Sequence, residues 1–227
     1  MCGRIALYSE PDRIARILDA QLALDGSDWQ PSWNVAPTDA VLGVSEHSDG
    51  TRFLRAYRWG LVPIWAKEPA ALKTTFNARA ESVATKSTFS AAFQRGRILV
   101  PVDAFYEWKS EGKVKTPNLF TRADGQPIVF AGLRDRWKCA DGSFMHSATI
   151  ITTGAGPDMD GIHTRMPVVL EPDTWEHWLD SAVVDRDELE SVLRPAPAGT
   201  LVHHEVGRGV GNVRNDGPEL IGAVNSL

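Results

Sequence analysis

Little in this chain invites disulfide, metal or membrane chemistry. Its 227 residues hold two cysteines, Cys2 and Cys139, far apart and in no CxxC pattern. That argues against both a disulfide framework and a thiolate zinc site. The six histidines show no HxxxH-type spacing, and the adjacent pair His203-His204 would face opposite ways on a strand. No metal and no cofactor is expected. No run approaches the ~18 apolar residues that span a membrane, and the N-terminus lacks the apolar segment of a signal peptide. No membrane partner is expected, and a reducing, cytoplasmic setting is the default. A basic excess is also missing. The net charge of −5 argues against a general nucleic-acid coat protein, although a local basic groove remains compatible with it. Repeats and low-complexity tracts are absent. The only linker-like stretch, Pro195 to Gly199, lies too near the C-terminus to define a second domain. One domain over residues 1–227, acting as a monomer, is the economical expectation, and the length suffices to bury a core.

What is present is turn chemistry. Asp49-Gly50, Asp124-Gly125 and Asp141-Gly142 each separate two strand-like runs, and Glu111-Gly112 reads the same way. Asp-Gly suits the φ > 0 geometry of tight hairpins. The expected partners are Ala40 to Ser45 with Phe53 to Trp59, Leu119 to Thr121 with Ile128 to Ala131, and Arg136 to Cys139 with Met145 to Thr152. Ile98 to Val102 and Ala104 to Lys109 add two more strands. Helices are few and short. Ile14, Ile17, Leu18 and Leu22 recur at helical spacing after Pro11-Asp12, and Phe89, Ala92 and Phe93 form a second stripe ending at Gly96. A third follows Asp173 with Trp175, Trp178 and Leu179, and a fourth runs from Asp185 to Arg194 before Pro195. The fold class is therefore α+β, with a mainly antiparallel, twisted or barrel-like sheet and short flanking helices.

Several polar residues stand where a core would prefer none. In Ala104-Phe105-Tyr106-Glu107-Trp108, alternation puts Glu107 on the Phe105 face, with Tyr106 and Trp108 opposite. A carboxylate among aromatics would be partly desolvated and suited to proton transfer, although an edge-strand glutamate facing water fits the same letters. His163 and Arg165 sit two apart before the buried run Val168 to Leu170. The histidine could act as a general acid or base and the arginine could hold a phosphate, while a surface-loop histidine is the commoner case. Asn77, in Thr75-Phe76-Asn77-Ala78-Arg79-Ala80-Glu81-Ser82, could orient a nucleophile or an aldehyde oxygen. By itself that segment reads more simply as a loop or helix cap. Trp33, Trp59 and Trp65 lie beside Pro or Gly on expected loops. Such indoles can stack bases, though tryptophans are more often core.

The second residue carries the most specific chemistry. Removal of Met1 would leave Cys2 with a free α-amine and a thiol on one residue, with reference pKa values of about 7.7–8 and about 8.5. The amine condenses with an aldehyde to a Schiff base, and the thiol can close on the imine to a five-membered thiazolidine. On Cys2 alone, a tolerated small residue is the simpler reading.

Taken in order, these segments resemble the SRAP family (SOS-response-associated peptidase domain), the abasic-site processing proteins. The matching residues are Met1-Cys2-Gly3-Arg4, Asn34-Val35-Ala36-Pro37-Thr38, Trp59-Gly60-Leu61-Val62-Pro63, Asn77-Ala78-Arg79-Ala80-Glu81, Phe105-Tyr106-Glu107-Trp108, His163-Thr164-Arg165-Met166-Pro167 and Val210-Gly211-Asn212-Val213. The resemblance implies a β-rich domain that shields abasic sites in single-stranded DNA, during replication and the DNA damage response, by covalent crosslinking. It implies that Cys2 attacks the ring-opened C1′ aldehyde and that His163 protonates the sugar ring oxygen. Glu107 would move protons around the Schiff base, and Asn77 would orient amine and substrate. Arg4, Asn34, Trp65, Arg79 and Arg165 would hold DNA. Some members carry two adjacent tryptophans where this chain has Trp65-Ala66, so one stacking surface is lost here. Two competing readings remain open: a cysteine peptidase with a Cys2–His163 dyad, whose simplest reaction is removal of Met1, and a non-covalent single-strand binder.

Overall fold

The computed structural model describes residues 2–24, 29–67 and 75–224. Two β-sheets form the frame. The first runs β13 (Leu201–Glu205), β9 (Val114–Arg122), β8 (Ala104–Glu111), β1 (Ile5–Leu7) and β3 (Ser32–Val35) in spatial order. The second orders β12 (Arg165–Pro167), β11 (Phe144–Gly154), β10 (Ile128–Lys138), β7 (Arg97–Val102), β4 (Ala40–Glu46), β5 (Arg52–Trp59) and β2 (Gln21–Leu22). A parallel pairing of β11 with β5, Ser147 opposite Arg58 and Ala148 opposite Trp59, closes β4, β5, β11, β10 and β7 into a barrel. A short strand β6 (Asn77–Arg79) runs parallel to β11 further along, with Ile150 opposite Asn77. The α+β class with a barrel-like sheet is therefore observed.

Closure depends on small residues facing inward. A Cβ on Gly43 would meet the Tyr57 ring at 2.9 Å, and one on Gly132 would meet Val100 Cγ2 at 2.5 Å. Only glycine lets those strands approach the interior side chains so closely. Inside the barrel, and between it and the first sheet, lies an apolar cluster that includes Ile5, Tyr57, Trp59, Phe105, Phe120 and Phe130. Outside the barrel a second cluster is covered by α1 (Pro11–Ile17), α2 (Ser90–Arg95), α3 (Trp175–Leu179) and α4 (Arg186–Ser191). Buried Arg97 ties two of these helices down: its guanidinium donates to the carbonyls of Phe93, Gln94, Trp178, Asp180 and Val183. A cation there satisfies helix C-terminal carbonyls that would otherwise be left without partners.

Four expectations needed correction. Asp124-Gly125 does turn the chain, with Gly125 at φ 73°, but it joins no hairpin. β9 pairs with β8 and β13, while β10 pairs with β7 and β11. Turn chemistry specifies a reversal, not the sheet that the next strand enters, and fully buried Ile128–Ala131 belongs in the barrel wall. Leu22 lies outside α1, because Asp19 adopts the left-handed conformation (φ 49°) and ends the helix. The Asn77 segment is a strand followed by a 3-10 turn over Ala80–Ser82, since its pairing with β11 is long-range. Trp33 and Asn34 sit on β3 and Trp59 ends β5, so none of the three is on a loop. The other three turns join the strands expected of them, β4 to β5, β8 to β9 and β10 to β11.

Candidate active site

Cys2 enters β1 from below the barrel and is fully buried in the Phe105–Phe130 cluster. Ile5 pairs with Phe105, and Tyr106 donates its backbone N–H to the Arg4 carbonyl, which brings β8 alongside the first residues of the chain. Alternation along β8 then acts as expected. Phe105 joins the Cys2 cluster, while Tyr106 packs on the opposite face with Ala6 and Leu119. Glu107 therefore turns inward and is only 3% exposed.

Asn77 reaches Cys2 from the far side. Its Nδ2 donates to the Cys2 carbonyl at 2.6 Å, and its Oδ1 is buried with no hydrogen-bond partner among the described residues. A buried acceptor without a donor is costly, and this one stands beside the residue whose amine would be its donor. Trp59 Nε1 donates to the Phe76 carbonyl at 2.9 Å and so fixes the approach of β6. Burial, with the Glu107 charge second, pushes the Cys2 thiol well above its ordinary pKa, against a smaller downward pull from the Arg4 backbone N–H. Near neutral pH this thiol is protonated, the reverse of the depressed pKa that a thiolate nucleophile needs. Alkylation with iodoacetamide at about pH 7.5 is expected to label half-buried Cys139 at least about tenfold faster than Cys2. Peptide mass spectrometry reads the ratio, and equal rates would contradict a buried, neutral thiol.

His163 lies on the wall of an open cavity of about 620 Å³ formed with Gly156, Pro157, Asp160, Gly161 and Thr164. Its Nδ1 lies 3.0 Å from the Arg165 backbone nitrogen and 3.1 Å from the Arg165 carbonyl oxygen, so that backbone holds the ring in place. The preceding Ile162 packs on the Cys2 cluster, which places the histidine at the edge of that cluster. Arg165 points elsewhere: it forms a two-pronged pair with Glu81 (2.8 and 3.0 Å) and donates to the Thr152 carbonyl at 2.6 Å. The pair holds the Glu81 carboxyl below its usual pKa, mainly through the Arg165 hydrogen bond. Glu81 and Thr152 were given no role by sequence reasoning. The one available signal was that Glu81 closes the Asn77-Ala78-Arg79-Ala80-Glu81 motif.

The remaining candidates divide. Arg4 donates to Asn34 Oδ1 at 2.9 Å and to the Val210 carbonyl at 3.3 Å, and burial lowers its pKa. Asn34 in turn donates to the carbonyls of Asn212 and Asn215. These two residues tie the N-terminal strands to the C-terminal segment. Arg79 is exposed beside Asn77 on β6. Trp65 is 57% exposed, and its neighbours are anchored to β10: Ile64 N–H donates to Asp135, and the Ala66 carbonyl accepts Trp137 Nε1. The structure thus gathers Cys2, Asn77 and Glu107, sets His163 at their edge, and leaves Trp65 apart. Among the described residues no cluster of His, Cys, Asp and Glu could hold a metal, and no helix is long and apolar enough to cross a membrane.

Comparison with known proteins bears on this arrangement. A family model described as SOS response associated peptidase (SRAP) matches residues 1–213. The abasic site processing protein YoqW of Bacillus subtilis is 36% identical over 222 residues, covering 97% of this chain and 99% of its own. YedK of Escherichia coli, of the same description, is 33% identical over 225 residues, covering 97% of this chain and 99% of its own. A crystal structure of a Bordetella bronchiseptica protein superposes with a TM-score of 0.79 at 26% identity, covering 91% of this chain and all of that one (100%).

Proposed function

The chain belongs to the SRAP family, and on that premise we propose that it processes abasic sites in single-stranded DNA by crosslinking to them through Cys2. Relatives over the full length of the chain carry the description abasic site processing protein. The observation that carries the chemistry is the convergence of Asn77 and Glu107 on buried Cys2. With Met1, which lies outside the described residues, removed, the Cys2 amine attacks the C1′ aldehyde. Asn77 holds the Cys2 carbonyl and offers Oδ1 to the amine. His163 donates a proton to the sugar ring oxygen as the ring opens. Water leaves the carbinolamine to give the imine, with Glu107 moving the proton. The thiol then adds to the imine carbon while its proton passes to nitrogen, closing the thiazolidine. The thiol proton is consumed only in that last step, so this order needs no thiolate; with Met1 in place, burial raises the thiol pKa.

The same raised pKa counts against a Cys2–His163 peptidase acting through a thiolate. Exposed Arg79 and Trp65 are the residues we assign to DNA contact, with Arg4, Asn34 and Arg165 shaping the surface through their internal bonds. The test is incubation with single-stranded DNA bearing one abasic site, followed by a denaturing gel. A shifted band is expected with abasic but not intact DNA, and its absence from protein confirmed to begin at Cys2 would refute the proposal.

A further inference from the structure

The end of the barrel away from Cys2 is a cationic basin. Strand register orders the interior: Ile150 and Gly132 lie toward Asn77, followed by Ala148, Arg134 and Trp59, then His146, Arg136 and Tyr57, with Arg55 beyond them. At that mouth a cavity of about 460 Å³ is lined by Ser45, His47, Arg55, Tyr57, Arg134, Arg136 and His146. Its lining thus holds three arginines and two histidines with no carboxylate, in a protein of net charge −5. Buried Tyr57 forms the floor, its hydroxyl 3.5 Å from Ser45 Oγ. Arg134 Nε is buried and has no hydrogen-bond partner among the described residues. Arg136 and Arg55 lie over the rings of Phe144 and Phe53 at the rim.

We propose that this basin binds a phosphate group, held by Arg55, Arg134 and Arg136 with His146 as a further donor. A buried guanidinium nitrogen without an acceptor is costly unless an anion supplies one, and three arginines lining one cavity repel one another until it does. His146 registers that repulsion: burial first, then Arg55, Arg134 and Arg136, lower its pKa. The groups facing it are cationic or neutral on every lining strand, with Arg55 and Tyr57 on β5, Arg134 and Arg136 on β10, and Ser45 and His47 at the end of β4. Phosphate arriving there reverses the local potential, so the His146 pKa must rise when it binds. The phosphate can come from free phosphate, from a nucleoside monophosphate, or from the backbone of a DNA strand. The proposal is independent of the Cys2 chemistry.

The experiment follows the His146 ring resonances across pH in the full chain. Inorganic phosphate, a nucleoside 5′-monophosphate and an undamaged single-stranded oligonucleotide are titrated in separate arms. At least one should saturate at or below about 1 mM and raise the His146 midpoint, and the tightest arm names the source of the phosphate. Arg134→Gln should weaken that ligand at least about tenfold. Arg136→Gln, a change at the exposed rim, should weaken it too and guards against a misfolded Arg134 variant. An unmoved His146 midpoint in all three arms at about 10 mM ligand overturns the proposal. So does binding that neither variant weakens.

Discussion

Protein that retains Met1, or carries Cys2→Ala, is expected to form no denaturant-resistant adduct with abasic DNA. The two variants fail for different reasons. Met1 converts the Cys2 nitrogen to a peptide amide, which has no basic lone pair for the aldehyde, so the first bond never forms. Cys2→Ala keeps the amine but loses the sulfur, so any imine stays open to hydrolysis and only borohydride should trap it. Cys2→Ser should behave like the alanine variant, because a hydroxyl closes on an imine far less readily than a thiol. Denaturing gels with and without borohydride separate these cases, and the loss should exceed about a hundredfold in adduct yield. A stable adduct from Met1-retaining protein would remove the amine from the mechanism. Buried Cys2 also affects pH stability, since its thiol pKa is raised on folding. The stabilisation this gives is present below the unfolded thiol value of about 8.5 and is lost as pH rises above it.

Asn77→Ala should show the second large effect, on rate and stability together. It leaves the Cys2 carbonyl without the 2.6 Å bond. An unsatisfied buried acceptor costs about 1–3 kcal/mol, visible in chemical denaturation. Crosslinking should slow by about a hundredfold or more, since misplacing a nucleophile by an ångström has that effect. Asn77→Asp, which keeps the shape but turns a donor toward the carbonyl into an acceptor, should be no better than alanine. Two measurements keep the effects apart: adduct formation rate under conditions where the variant is fully folded, and its denaturation midpoint. An Asn77→Ala protein that is destabilised yet crosslinks at the parent rate would reduce Asn77 to a structural tether.

The strands that could be read early were those whose evidence is local. Asp49-Gly50, Glu111-Gly112 and Asp141-Gly142 lie between neighbours that do pair, because a tight turn positions both strands within a few residues. Glu107 was legible as an inward carboxylate for a similar reason: two-residue alternation needs nothing beyond β8 itself. Asn77 was not legible as a strand residue. Its partner on β11 lies far along the chain, and its hydrogen-bond partner, Cys2, is 75 residues away. Arg165 likewise has a distant partner that local pattern does not show: Glu81, 84 residues away, pairs with its guanidinium.

The sequence by itself determined the chemical inventory: an aminothiol available once Met1 is gone, a carboxylate among aromatics, a loop histidine, and the α+β class. These follow from residue type, spacing and turn preference, all short-range properties. Tertiary structure alone decided which groups meet. Parallel closure of β5 on β11 made a barrel whose lower end gathers Cys2, Asn77 and Glu107. It also brought arginines and histidines from four stretches of chain into the opposite mouth. No local pattern encodes that closure, because the burial and hydrogen bonds that favour it exist only after distant strands have come together.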